Sequence, residues 1–162
     1  MKIPEPNMTF VFIAKEEILR NIVNTHDFIL VQGWKGTGKT VTALKAVAGM
    51  GDIYYYNGSA EEIPQHTGQL NVVKNCQELR AIQPGKQCII FDNLNHLDSE
   101  ARNILKDMIL ERIKDRKILV ITQVVLDAQD ILGNMDVVVR FRQNTAEMLD
   151  TKLYNLNSCC RF

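Results

Sequence analysis

The sequence predicts an α/β fold with a mainly parallel sheet, and three observations carry that reading. Short apolar runs rich in branched residues alternate with segments of helical period, the pattern of strand–helix–strand units. One such run, "FILVQ" at residues 28–32, passes directly into "GWKGTGKT" and then into a helical pattern. Another, "QCIIFDN" at 87–93, ends its apolar stretch in an aspartate.

Taken in order, "KEEILRNIVN" (15–24) sets Ile18, Leu19, Ile22 and Val23 on one helical face, ahead of the first strand. After that strand, Gly33, Gly36, Gly38, Lys39 and Thr40 fit G-x-x-x-x-G-K-[ST], the phosphate-binding loop. A strand, a glycine loop and a helix in succession make backbone N–H groups converge on an anion, and the helix N-terminus adds partial positive charge. Val41, Leu44, Lys45, Ala46 and Val47 continue as a helix that stops near Gly49. "DIYYYNG" (52–58) is a second strand closed by Asn-Gly. Between Ser59 and Pro84 the pattern is weaker, with a short strand at "NVV" and a helix around "CQELRAI"; no chemistry is placed there.

The third clear strand spans 87–93. In "LDSEARNILKDMILERIK", Asp98 or Ser99 caps a helix and Glu100 favours its start. Its stripe of Ala101, Ile104, Leu105, Met108, Ile109 and Ile113 reads as core packing. "KILVITQ" (117–123) is the next strand, with Thr122 and Gln123 at its carboxyl end, and "MDVVVRFR" (135–142) is the last before a tail.

The chain of 162 residues suits one domain, and 46% hydrophobic residues suffice for a single core. The expected division is a core over 1–142, with an N-terminal extension at 1–27, and a tail at 143–162. No apolar run approaches the ~20 residues that span a bilayer, and the first residues lack a secretory pattern. The expectation is therefore a soluble protein without membrane insertion, in the cytoplasm or, for a viral chain, in the host cytoplasm. Nineteen basic residues balance nineteen acidic ones, so no global field draws the chain to nucleic acid. Cys76, Cys88, Cys159 and Cys160 lack paired C-x-x-C spacing, and His26, His66 and His96 lack ligand spacing. Reduced thiols and no zinc site follow.

The phosphate loop assigns cofactor contact to Gly33, Trp34, Lys35, Gly36, Thr37, Gly38, Lys39, Thr40 and Val41. Lys39 is expected to reach the β- and γ-phosphates of ATP, and the Thr40 hydroxyl to ligate Mg²⁺. Asp92, emerging at the carboxyl edge of its strand, is the second metal residue; its alternative reading is a loop cap. Gln123 is placed to hydrogen-bond the attacking water or the γ-phosphate. Trp34 either stacks on a base or a neighbouring subunit, or anchors the loop.

The series Gly33 to Thr40, "IIFDN" and "ILVITQ", followed by "GNMDVVVRF", resembles the additional-strand class of phosphate-loop ATPases, which contains AAA+, RecA-like and FtsK-HerA-type motors. The resemblance covers roughly residues 28–142. It implies a three-layer sandwich around a five-stranded sheet of order 5-1-4-3-2. The glutamine closing the fourth strand and the Asn-x-Asp before "VVVRF" are most similar to FtsK-HerA and viral genome-packaging ATPases. "IIFDNLNHLDSEARNILKDMI" is also similar to AAA+ loaders and initiators, and "FDNL" with "KILVIT" to STAND-type switches. Those relatives usually carry a C-terminal helical lid, for which residues 143–162 are too short.

The resemblance implies ATP hydrolysis coupled to moving or packaging nucleic acid, in a homo-oligomeric ring or with DNA or a nucleic-acid-bound partner protein. The alternatives are a loader or regulatory switch acting on a partner protein and, less favoured, a small-molecule kinase. Absence of N-K-x-D favours adenine only mildly. Motors of this class usually follow the magnesium aspartate with a glutamate, and Asn93 stands there instead. Asn93 can bind water but cannot take its proton. Slow turnover, another acid such as Asp98 or Glu100, or a nucleotide switch are the three consequences. Arg112, Arg116, Arg140 and Arg142 are candidate arginine fingers for a neighbouring subunit, Arg116 being preferred.

Overall fold

Every central strand of this protein is buried on both faces, which is why it appears in the sequence as an unbroken apolar run rather than an alternation. The computed structural model describes residues 8–59, 63, 69–143 and 145–149. Its elements are α1 (Met8–Thr25), β1 (Phe28–Gly33), α2 (Lys39–Val47), β2 (Asp52–Asn57), β3 (Asn71–Val73), α3 (Cys76–Arg80), β4 (Gln87–Asp92), α4 (Ser99–Glu111), β5 (Arg116–Thr122), β6 (Val137–Phe141) and β7 (Ala146–Leu149). Single 3₁₀ turns fill Leu94–His96, Val125–Ala128 and Leu132–Asn134.

One sheet runs in the order β3-β2-β4-β5-β1-β6-β7. All pairings are parallel except β6 with β7. The five expected strands hold the order 5-1-4-3-2, with β5 inserted between β1 and β4. The strand count needs correction from five to seven. The short "NVV" strand adds as β3 outside β2, and β7 forms within the segment expected as tail. The helix expected at 15–24 extends over Met8–Thr25. His66, Cys159 and Cys160 lie outside the described residues, as do positions 150–162 of the segment expected to hold no lid.

Strand periodicity sends alternate residues to two cores. Leu30, Ile89, Phe91, Ile118 and Val120 face one side, where the apolar stripe of α4 packs. Ile29, Val31, Ile90, Leu119 and Val139 face the other, against Leu19, Ile22 and Val23 of α1 and Ala43, Leu44 and Val47 of α2. The Asp98 carboxylate accepts the Ala101 N–H at 2.8 Å and starts α4, while Arg112 ends it in the left-handed conformation at φ 46°. Because β1, β4 and β5 are parallel, their carboxyl ends share one edge. That edge gathers the glycine loop, Asp92 and Gln123.

Candidate nucleotide site

The loop between β1 and α2 is shaped by its glycines and by one carbonyl. Gly36 and Gly38 take φ of 86° and 81°, where a side chain would be strained. Gly33 has a steric requirement instead: a Cβ there would stand 2.6 Å from the Phe141 carbonyl oxygen and 2.9 Å from Thr37 Oγ1. The Trp34 carbonyl accepts from Thr37 Oγ1 at 2.8 Å, the Thr37 N–H at 3.3 Å and Lys39 Nζ at 2.9 Å. α2 then begins at Lys39 with Gly38 as its N-cap, leaving its first N–H groups and dipole directed at the loop. Burial lowers the Lys39 pKa, and Asp92 partly offsets this.

A cavity of about 230 Å³ opens here. Of the expected contact residues, Lys35, Gly36, Gly38, Lys39, Thr40 and Val41 line it, together with Asp92 and Gln123. Gly33, Trp34 and Thr37 do not: Gly33 packs behind the loop, Thr37 turns its hydroxyl to Trp34, and the Trp34 residue is 69% exposed. The Gln123 carbonyl accepts from Gln32 Nε2 at 2.8 Å, which fixes the end of β5 against β1.

Asp92 is only 3% exposed yet well supplied with donors. Its Oδ2 accepts from Thr40 Oγ1 and from the Tyr55 hydroxyl, each at 2.6 Å, and its Oδ1 accepts the Asn93 N–H at 2.8 Å. Asp92 thus faces the loop threonine with one oxygen and receives the first N–H of the following turn with the other. The pairing of Asn57 with Asp92 across β2 and β4 brings Asn57 beside Asn93. Asn57 Oδ1 accepts the Ser59 N–H at 2.9 Å, so the group facing it at 2.7 Å must be the Asn93 NH₂. Asn93 therefore keeps its amide oxygen as an acceptor, and the residue lines the cavity in a left-handed backbone at φ 54°.

The substitute bases are not brought here. Asp98 caps α4, Glu100 pairs with Arg80, and neither lines the cavity. Arg116 does not line the cavity either. It opens β5 at the amino edge of the sheet, opposite Gln123, and is 2% exposed, with Nε donating to Gln87 Oε1 at 2.6 Å. Its guanidinium is engaged within the chain, by Gln87 and by Glu111 at 3.5 Å, rather than extended from the surface. Arg112 lies over the Phe28 ring at 5.2 Å, also at the amino edge. Arg140 and Arg142 lie at the carboxyl end of β6, with Arg142 Nε bonded to Glu147 at 3.2 Å.

Three residues of the site escaped the sequence reading. Tyr55 and Asn57 lie in "DIYYYN", where the sequence shows only a strand. Lys15 of α1 is buried behind the loop, and its signal was present: it falls in phase with Leu19, Ile22 and Val23, a lysine within an apolar stripe.

Thr40 Oγ1 and Asp92 Oδ2 fit a hard cation of the magnesium type, which takes few protein oxygens and keeps waters and phosphate oxygens as its other ligands. Among the described residues no group of three or more His, Cys, Asp or Glu forms an independent metal cage. No helix among them is long and apolar enough to cross a membrane.

No protein-family model matches the sequence, and no curated sequence is significantly similar to it. Solved structures do match. The RuvB Holliday junction branch migration motor of Thermotoga maritima aligns at 13% identity and a TM-score of 0.54, over 83% of this chain and 45% of RuvB. The ATPase DotB of Legionella pneumophila aligns at 12% identity and a TM-score of 0.54, over 96% of this chain and 52% of DotB. This chain thus spans about half the length of either protein. The likeness does not separate the FtsK-HerA branch from the AAA+ one; what it shows, with the sheet order and the loop, is that the chain has the fold of the phosphate-loop ATPases.

Proposed function

We propose that the protein binds ATP with Mg²⁺ and hydrolyses it slowly, coupling the cycle to nucleic-acid translocation or packaging. The observation that carries this reading is the 2.6 Å contact between Thr40 of the loop and Asp92 of another strand, at the mouth of a cavity lined by Lys39. In this reading the amides from Gly36 to Thr40 cradle the phosphates, and Lys39 leaves the Trp34 carbonyl to reach the transferring group. Thr40 and Asp92 hold the metal, which would neutralise charge on the phosphate oxygens. Gln123 and the Asn93 amide oxygen orient the attacking water. Positioning and charge neutralisation supply most of the barrier reduction in phosphoryl transfer, so an asparagine lowers the rate without removing the reaction.

The same asparagine favours a second reading, a nucleotide switch acting on a partner protein. Turnover measured alone and with single- and double-stranded DNA at two salt concentrations separates the two. A translocase shows turnover raised by DNA and weakened by salt. Nucleotide binding with no turnover under any condition would leave the switch, and absence of nucleotide binding would overturn both.

A further inference from the structure

Lys15 is 1% exposed, and among the described residues no carboxylate pairs with it. Its Nζ donates to the Thr37 carbonyl at 2.9 Å and to the Gln143 carbonyl at 3.0 Å, and lies 5.5 Å from the centroid of the Phe141 ring. Two neutral carbonyls and an aromatic face compensate a buried ammonium less well than a carboxylate does. Burial accordingly lowers the Lys15 pKa from its ordinary value. Leu19, Ile22 and Val23 fill the same stripe with apolar groups, so packing alone does not call for a lysine.

What Lys15 holds explains its place. The Thr37 carbonyl and the Gly38 N–H belong to one trans peptide unit and point in opposite directions. Lys15 grips the carbonyl from behind the loop, and Gly38 lies on the cavity wall. The second bond, to Gln143 just past β6, ties the same ammonium to the far edge of the sheet.

We infer that Lys15 is a positioning residue for the phosphate site: it clamps the Thr37 carbonyl, aims the Gly38 N–H into the cavity, and adds behind the loop a positive charge independent of Lys39. This rests on the nucleotide-binding reading above. The amide and the charge act on the phosphates rather than on the base or sugar. Lys15 also makes α1 and the segment after β6 part of the anion site, although neither belongs to the strand–loop–helix unit.

The test is calorimetric titration of ATP and of inorganic tripolyphosphate, each with Mg²⁺, into the unmutated chain and Lys15→Met, well below the melting temperature of each. Loss of an oriented donor and its charge is expected to weaken both ligands about tenfold in the variant. A purely structural lysine would lower the melting temperature and leave both affinities alone, and that result overturns the inference while the nucleotide reading stands. An unmutated chain that binds neither ligand overturns both. Should Lys15→Met fail to fold, lysine-selective ¹⁵N NMR of the unmutated chain supplies the second readout. The Lys15 ammonium, identified by its contact with the Phe141 ring protons, is expected to shift on adding tripolyphosphate. An unmoved signal under saturating ligand overturns the inference.

Discussion

Asp92 shows how a buried carboxylate is kept stable by its donors. At 3% exposure its charge is balanced by three donors, from Thr40, Tyr55 and its own neighbour's N–H. In the proposed reading Thr40 would turn to a metal, while Tyr55, on the adjacent strand, would stay. Tyr55→Phe keeps the ring and removes the hydroxyl, leaving a buried carboxylate short of one donor. The expected loss is about 1.5–3 kcal/mol, read by urea denaturation of the ligand-free protein. A loss below about 0.5 kcal/mol would mean that the bond contributes little. Legibility at this scale follows from position in the strand. Asp92 and Gln123 were readable because they close apolar runs. Arg116 opens its parallel strand at the edge opposite the ligand side and is buried there, which the sequence reading did not anticipate. Tyr55 was not legible, since its role depends on which strand lies beside β2.

Elements differ in how much of their purpose their own residues reveal. The central strands were legible because burial on both faces writes an apolar run. β7 was not, being an edge strand with mixed exposure that follows no clear period, and β3, of the same kind, showed only as a short strand in a weak pattern. α4 was legible from cap and stripe, and its cap bears on a question of mechanism. Asp98→Ala removes the bond to Ala101 and is expected to cost about 1 kcal/mol of stability while leaving nucleotide turnover within about twofold. A large fall in turnover at unchanged stability would instead make Asp98 the missing base. β4 carries a pH effect. Burial raises the Cys88 thiol from 9.0 to about 12, with Lys117 opposing, so the folded state keeps its proton where the unfolded state releases it. The contribution is whole below pH 9.0 and is lost as pH rises towards about 12. Unfolding free energy over that interval should fall more steeply in the unmutated chain than in Cys88→Ala, by up to roughly 1.4 kcal/mol per pH unit. Parallel slopes would contradict the burial argument.

For the whole molecule the decisive feature is that the cavity is walled by the ends of β4 and β5 and the start of α2, which pack on two cores sharing one sheet. A ligand there would contact elements far apart in sequence, Thr40 and Asp92 being 52 positions apart. Binding should therefore stabilise the cooperative unit rather than a loop. At ~100-fold excess over its dissociation constant, a ligand that binds only the folded chain adds ~2.7 kcal/mol. For a chain of 162 residues that is a rise in melting temperature of roughly 5–10 °C. Magnesium with ATP should produce this rise, and chelating the metal should shrink it, because Thr40 and Asp92 would then have no ion through which to reach the phosphates. Lys39→Ala should melt near the ligand-free temperature, since among the described residues Lys39 Nζ bonds the Trp34 carbonyl alone and Lys39 is no core residue. With ATP added, that variant should show almost none of the rise. Equal shifts in the variant and the unmutated chain would place the nucleotide elsewhere on the molecule, and no shift in either would remove ATP from the account altogether.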